Sequence, residues 1–252
     1  VVIGQSNEAY NAVFEKRAEE LHSKVIYAEQ EFALGDIEHF DNYSQHFSLL
    51  RTRDNRTFEL DLDLLGDYQR HNIVTACAAV DFLGELTPLT ISRRAFREGL
   101  ARSAANTGLM GRWQVIAEEP YTICDTGHNA DGIIYVAKQL ESLEADRIFA
   151  VMGFAKEKSL DKIMPLLPKR AHYIFTKASI ERARDIETIT AMADTLGLDY
   201  ESQPTVKEAV ARGQNREEEI LRQANREADA IREKANADIA MEKRKAVNDA
   251  KD

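Results

Sequence analysis

The sequence predicts an α/β chain: a Rossmann-like, mostly parallel sheet domain that runs into a long charged C-terminal helix. Three observations predict it. From residue 121 to about residue 200, short β-rich runs alternate with segments of helical period. The connections between them are short, which implies a parallel sheet covered on both faces. Near Gly213 the composition changes abruptly to a segment without Gly, Pro or aromatic residues.

Val1-Val2-Ile3-Gly4 reads as a buried strand running into a turn, and a chain that opens mid-strand without Met reads as a fragment. Residues 8–21 predict a helix. Residues 46–53 and 56–62, separated by Asp54-Asn55, predict a β-hairpin. Leu65-Gly66 then leads into a helix over 72–83, with Asn72 placed to cap it. Tyr121 to Cys124 predicts a strand ending in Asp125-Thr126-Gly127. A helix over 132–143 follows, with Ile133, Val136, Ala137, Leu140 and Leu143 on its apolar face. Next come a strand over 147–152, a short helix over 160–167, a strand over 172–175, a helix over 186–196 and a weak strand near Tyr200. Ligands of open parallel sheets lie beyond the C-terminal strand ends. That rule places Asp125, His128 and Asn129 at the first strand end and Thr176 at the third.

With 44% hydrophobic and 30% charged residues in 252, the chain is long enough for one large or two modest domains. The longest apolar stretches, such as residues 73–83, fall well short of the ~20 residues of a membrane span. A net charge of −10 argues against a sequence-independent nucleic-acid binder, which needs a basic surface. Cys77 and Cys124 lie in apolar runs and read as small hydrophobes in a reducing compartment. That cysteine pattern suits the reducing cytosol, so the chain is expected to be cytoplasmic.

Three polar clusters carry chemistry. The first is Gly66-Asp67-Tyr68-Gln69-Arg70-His71-Asn72, which taken alone is a capped helix start. The second is Gly111-Arg112-Trp113-Gln114, where Arg112 could simply stack on the only Trp. The third is Asp125-Thr126-Gly127-His128-Asn129-Ala130-Asp131-Gly132, in which a capping role for Asp131 leaves Asp125 and His128 unexplained.

Their order and flanks resemble the folylpolyglutamate synthase/dihydrofolate synthase family, relatives of the muramyl ligases. Val1-Val2-Ile3-Gly4-Gln5 resembles the strand that ends that family's central ATPase domain, and Leu65 to Asn72 its interdomain linker. Gly111-Arg112-Trp113-Gln114 resembles its Gly-Arg element and Asp125 to Asn129 its Asp-x-Ala-His-Asn element. Phe175-Thr176-Lys177-Ala178 and Pro204 to Ala209 are similar to later stretches of its C-terminal domain. The resemblance implies a remnant of the central domain over 1–64, a C-terminal ligase domain over 65–212 and an extended helix over 213–252. It also implies an ATP-dependent ligase that joins glutamate to dihydropteroate or folate through an acyl phosphate. Within it Asn72 would contact adenine, Arg112 the ATP phosphates and Asp125 the ribose, with His128 and Asn129 shaping the pocket.

Departures bear on activity. Glu157-Lys158-Ser159 stands where the family carries Asp-Lys-Asp, Tyr68 where a His is common, and Gly127 where Ala is usual. None of the 12 glycines is followed by Lys, so the phosphate-cradling loop is not in this sequence. The family's Mg²⁺ ligands would lie upstream of Val1. The chain alone is therefore expected to be inactive, and no catalytic residue is assigned to it.

The last 39 residues read differently. Ile220, Ile231 and Glu242, then Ala224, Ala235 and Ala246, then Ala228, Ile239 and Ala250 recur every 11 residues. An 11-residue repeat favours a right-handed supercoil. Residues 227–235 and 239–243 resemble the peripheral-stalk helix of an ATP synthase b subunit. The chain thus reads as a chimera joined near Arg212-Gly213. The second functional reading is an assembly protein that pairs weakly with itself through residues 214–252.

Overall fold

The structure, a computed structural model, describes residues 1–39, 43–216 and 226. It divides into two compact units, residues 1–144 with 166–168, and residues 145–165 with 169–252.

The first unit opens with β1 (Val2–Ile3), α1 (Asn11–Glu20) and β2 (Ile26–Tyr27), and the two strands pair in parallel. A short α2 (Ala28–Glu31) leads to three antiparallel strands, β3 (Phe32–His39), β4 (Gln45–Arg51) and β5 (Arg56–Leu62), with β4 in the middle. The expected hairpin is β4–β5, turning through Asn55 at a φ of 53°. Gln45, Phe47 and Leu49 alternate inward on β4, as a period of two requires. Phe47 and Leu49, with Leu60 and Leu62, meet Ile73, Val74, Cys77 and Ala78 of α3 (Gln69–Leu86), forming the core of this unit.

Strand β3 is not among the elements expected from the sequence. A Cβ on Gly35 would sit 2.1 Å from Ser48 Oγ, and the register shifts between Leu34 and Ile37. The glycine thus belongs to a bulge inside a strand. Helices α4 (Arg93–Ala101) and α5 (Ser103–Thr107) follow, the first capped by Ser92 Oγ. Two corrections concern caps. Helix α3 starts at Gln69, three residues before Asn72, with Tyr68 at its N-cap and no side-chain cap bond. Helix α6 (Ala130–Ser142) is capped by Asn129, whose Oδ1 accepts the Gly132 N–H, so Asp131 lies inside the first turn.

A third correction concerns Tyr121 to Cys124. This β7 (Tyr121–Cys124) pairs antiparallel with β6 (Gln114–Glu118) across a cis Glu119–Pro120 bond, as a separate two-stranded sheet. Thr122 to Cys124 are only half-buried.

In the second unit β8 (Ile148–Met152), β9 (Ala171–Phe175) and β10 (Tyr200–Ser202) form the parallel sheet, with β9 central. Tyr173, Ile174 and Phe175 are consecutive and all fully buried, which needs both sheet faces covered. Helix α8 (Ile186–Leu196) packs on β9 and β10. Gly213, in a helical run over 206–216, lies against Phe149, Val151 and Ile174. Helix α7 (Leu160–Ile163) is shorter than expected and continues as a 3₁₀ turn, because Pro165 brings no N–H to an α-helix. The 11-residue seam lies outside the described residues. No helix among the described residues is long and apolar enough to cross a membrane.

Candidate functional site

Asp125 follows directly on β7, and its carboxylate organises the polar clusters of the first unit. Oδ2 accepts the Tyr68 hydroxyl at 2.8 Å and the Trp113 N–H at 2.8 Å, while Oδ1 accepts the Gly127 N–H at 2.6 Å. An ionised carboxylate offers about four acceptor positions, so one on Oδ1 is left over. A methyl at Gly127 would stand 2.9 Å from that oxygen and 3.3 Å from Val136 Cγ2.

The Gly-Arg turn is bent to serve this carboxylate. Gly111 has a φ of 69° and Trp113, a bulky residue buried to 5% exposure, a φ of 52°. Such a backbone is unusual for a large side chain and persists only where its surroundings over-determine it. Here the Trp113 N–H is committed to Asp125. Gly111 also accepts the Thr126 N–H at 2.9 Å, and a Cβ on it would meet Thr126 Cγ2 at 2.5 Å. Arg112 sends its guanidinium to the Thr126 hydroxyl.

Tyr68 joins the linker to the group. Burial first, and its bond to Asp125 second, push its phenol well above the ordinary value, with nearby Arg112 opposing. It therefore stays a donor. The structure thus draws Arg112 and Asp125 into one hydrogen-bonded cluster with Tyr68, Trp113 and Thr126. His128 is exposed and donates from Nδ1 to the Thr126 carbonyl at 2.9 Å. Asn129 spends its oxygen on the α6 cap. Asn72 is exposed one turn beyond Tyr68, its amide donating to Gln69 Oε1 at 2.8 Å. These last two flank the cluster without bonding to Asp125.

Two residues that hold the linker escaped the sequence reading. Gln139, buried to 7% exposure, accepts the Asp67 N–H at 3.0 Å and donates to the Leu65 carbonyl at 2.9 Å. A glutamine three residues after Val136 and four before Leu143, on an apolar helix face, was the available signal. Tyr135 holds His71, whose Nε2 lies 2.9 Å from its hydroxyl while Nδ1 lies 3.0 Å from Gln5 Nε2. A neutral ring satisfies both bonds.

Burial, then the charge of Arg70, lowers the pKa of His71 against the opposing pull of Glu29. A folded value below the unfolded ~6.5 means that stability is fully present above that pH and is lost as pH falls through the folded value. His46 has the opposite sign: its bond to Asp61 at 2.7 Å leads the causes that raise its pKa, so its contribution is present in acid and fades as pH rises. We therefore expect His71→Gln to shrink the drop in unfolding midpoint between pH 7 and pH 5. Thermal melts of both proteins check this, and an equal drop would contradict it.

Among the described residues, no three His, Cys, Asp or Glu side chains stand together as a metal site.

Residues 111–221 match the family model described as Mur ligase, glutamate ligase domain. The chain is 30% identical over 143 residues to a probable bifunctional folylpolyglutamate synthase/dihydropteroate synthase of Haloferax volcanii, covering 57% of this chain and 16% of that protein. It is 26% identical over 189 residues to the dihydrofolate synthase/folylpolyglutamate synthase of Bacillus subtilis, covering 72% and 40%. The folylpolyglutamate synthase of Mycobacterium tuberculosis, solved with ADP and AMPPCP, shares the fold with a TM-score of 0.74 at 21% identity, covering 86% of this chain and 48% of that one. The chain therefore spans less than half the length of these relatives. The family match and the curated relatives agree: residues 111–221 match a Mur ligase glutamate ligase domain, and the proteins that the chain resembles are folylpolyglutamate synthases.

Proposed function

We propose that the Asp125 cluster is this chain's share of an ATP site in a ligase that adds glutamate to dihydropteroate or folate through an acyl phosphate. The carrying observation is the Asp125 carboxylate, held by three donors with one acceptor position still open on Oδ1. A ribose hydroxyl fits that position. Arg112, one hydrogen bond away on Thr126, needs only to exchange that neutral partner for a phosphate, where a guanidinium binds more strongly. Asn72 lies one helical turn past Tyr68, in reach of a base whose ribose sits on Asp125, and exposed His128 and Asn129 border the same turn. ATP brings its Mg²⁺ on its phosphates, and the residues described here supply no cage for it.

No Gly-Lys phosphate loop occurs in the sequence, so this chain by itself is expected to bind nucleotide weakly and not to turn it over. Arg112→Ala should weaken ADP binding about tenfold while leaving the unfolding midpoint nearly unchanged, since its side chain is half-exposed. Calorimetric titration of both proteins with ADP, beside a glutamate-dependent phosphate-release assay, tests the proposal. Equal affinities, or turnover by the chain alone, would refute it.

A further inference from the structure

A cavity of about 200 Å³ opens on the other half of α3. Its walls are Phe32, Leu49 and Phe58 of the antiparallel sheet, Val80 of α3 and Phe96 of α4. A dry apolar cavity of about 150 Å³ is large enough to take a benzene ring. Charges at its edge are unevenly matched. Arg51 pairs with Asp54 at 2.6 Å and with Asp81 at 2.9 Å, and Arg53 pairs with Asp81 at 2.7 Å and with Glu85. The three carboxylates are thereby committed to two arginines. Arg56 and Arg93 also line the cavity, are exposed, and form no direct ion pair among the described residues, although Arg56 stands close enough to Asp54 to help lower its pKa.

We propose that this cavity binds a small carboxylate with an apolar body the size of one ring, the body among Phe32, Leu49 and Phe58 and the carboxylate on Arg56 and Arg93. Arginine forks match a planar carboxylate bidentately. Asp81, also in the wall, favours a monoanion over a dianion by repulsion. This site is independent of the proposed nucleotide cluster, which lies at the start of α3.

Benzoate is the probe, followed by saturation-transfer NMR on the full chain, with benzyl alcohol as its neutral counterpart and phenyl phosphate as the dianion. Benzoate should bind saturably. The double substitution Arg56→Gln with Arg93→Gln should weaken it about tenfold while changing benzyl alcohol less than about twofold. Both substituted side chains are exposed, so the unfolding midpoint should hold. Gly84 lines the cavity, and a Cβ there meets only the Leu89 carbonyl at 3.9 Å, so Gly84→Leu should exclude both ring probes. Absence of saturable benzoate binding, an undiminished benzoate affinity in the double variant, or a clear preference for phenyl phosphate would overturn the proposal.

Discussion

Replacing Asp125 with Ala should lower the unfolding free energy by about 3 kcal/mol, because three half-buried donors lose a charged acceptor together. The donors are the Tyr68 hydroxyl and the N–H groups of Trp113 and Gly127. Asp125 accepts the Trp113 N–H within this positive-φ turn, so the Gly-Arg turn should loosen and nucleotide affinity should fall with it. Asp125→Asn separates the two effects. Its amide oxygen can keep two of the three bonds, so stability should recover by half or more, while the lost charge still weakens binding to a ribose hydroxyl. Urea unfolding of the three proteins is the check. A cost below about 0.5 kcal/mol for Asp125→Ala would mean that the carboxylate is a surface group.

The second large effect is expected in the other unit. Gly153 follows β8, and a Cβ there would stand 2.7 Å from the backbone carbonyl oxygen of Thr176. That carbonyl cannot move freely, since the Thr176 N–H donates to the Met152 carbonyl at 2.9 Å and the residue is buried to 3% exposure. Gly153→Ala should therefore cost about 2 kcal/mol, typical of overpacking, with the urea midpoint falling and the slope unchanged. A stability equal to the parent would show that the strand ends can part at no cost.

Much of the parallel sheet was legible. Helix α8 runs over the residues its periodicity predicts, and Ile148 to Met152 and Ala171 to Phe175 are strands because β-branched and aromatic runs of that length have no helical period. Strand β3 drew no expectation, and Gly35 inside it gives no sign of its role, since a glycine that admits Ser48 looks the same in sequence as one in a turn. The pairing of Tyr121 to Cys124 was misread for a related reason: its apolar run identifies a strand but not its partner. In the site, the residue types at Arg112 and Asp125 were legible from their concentration in short polar runs. What joins them was not, because the Tyr68 hydroxyl and the Trp113 N–H lie 57 and 12 residues from Asp125 in the chain. Gln139 lies 72 residues from the amide it accepts. Only folding reveals such long-range hydrogen bonds.

The central claim is that the cluster around Asp125 receives a nucleotide. The most direct test is an amide-resolved NMR titration of the isotope-labelled chain with ADP, repeated on Asp125→Asn. The account predicts shifts confined to residues 66–72, 111–113 and 125–132, all reduced in the variant. Shifts centred elsewhere, or a pattern in Asp125→Asn identical to that of the parent, would contradict it.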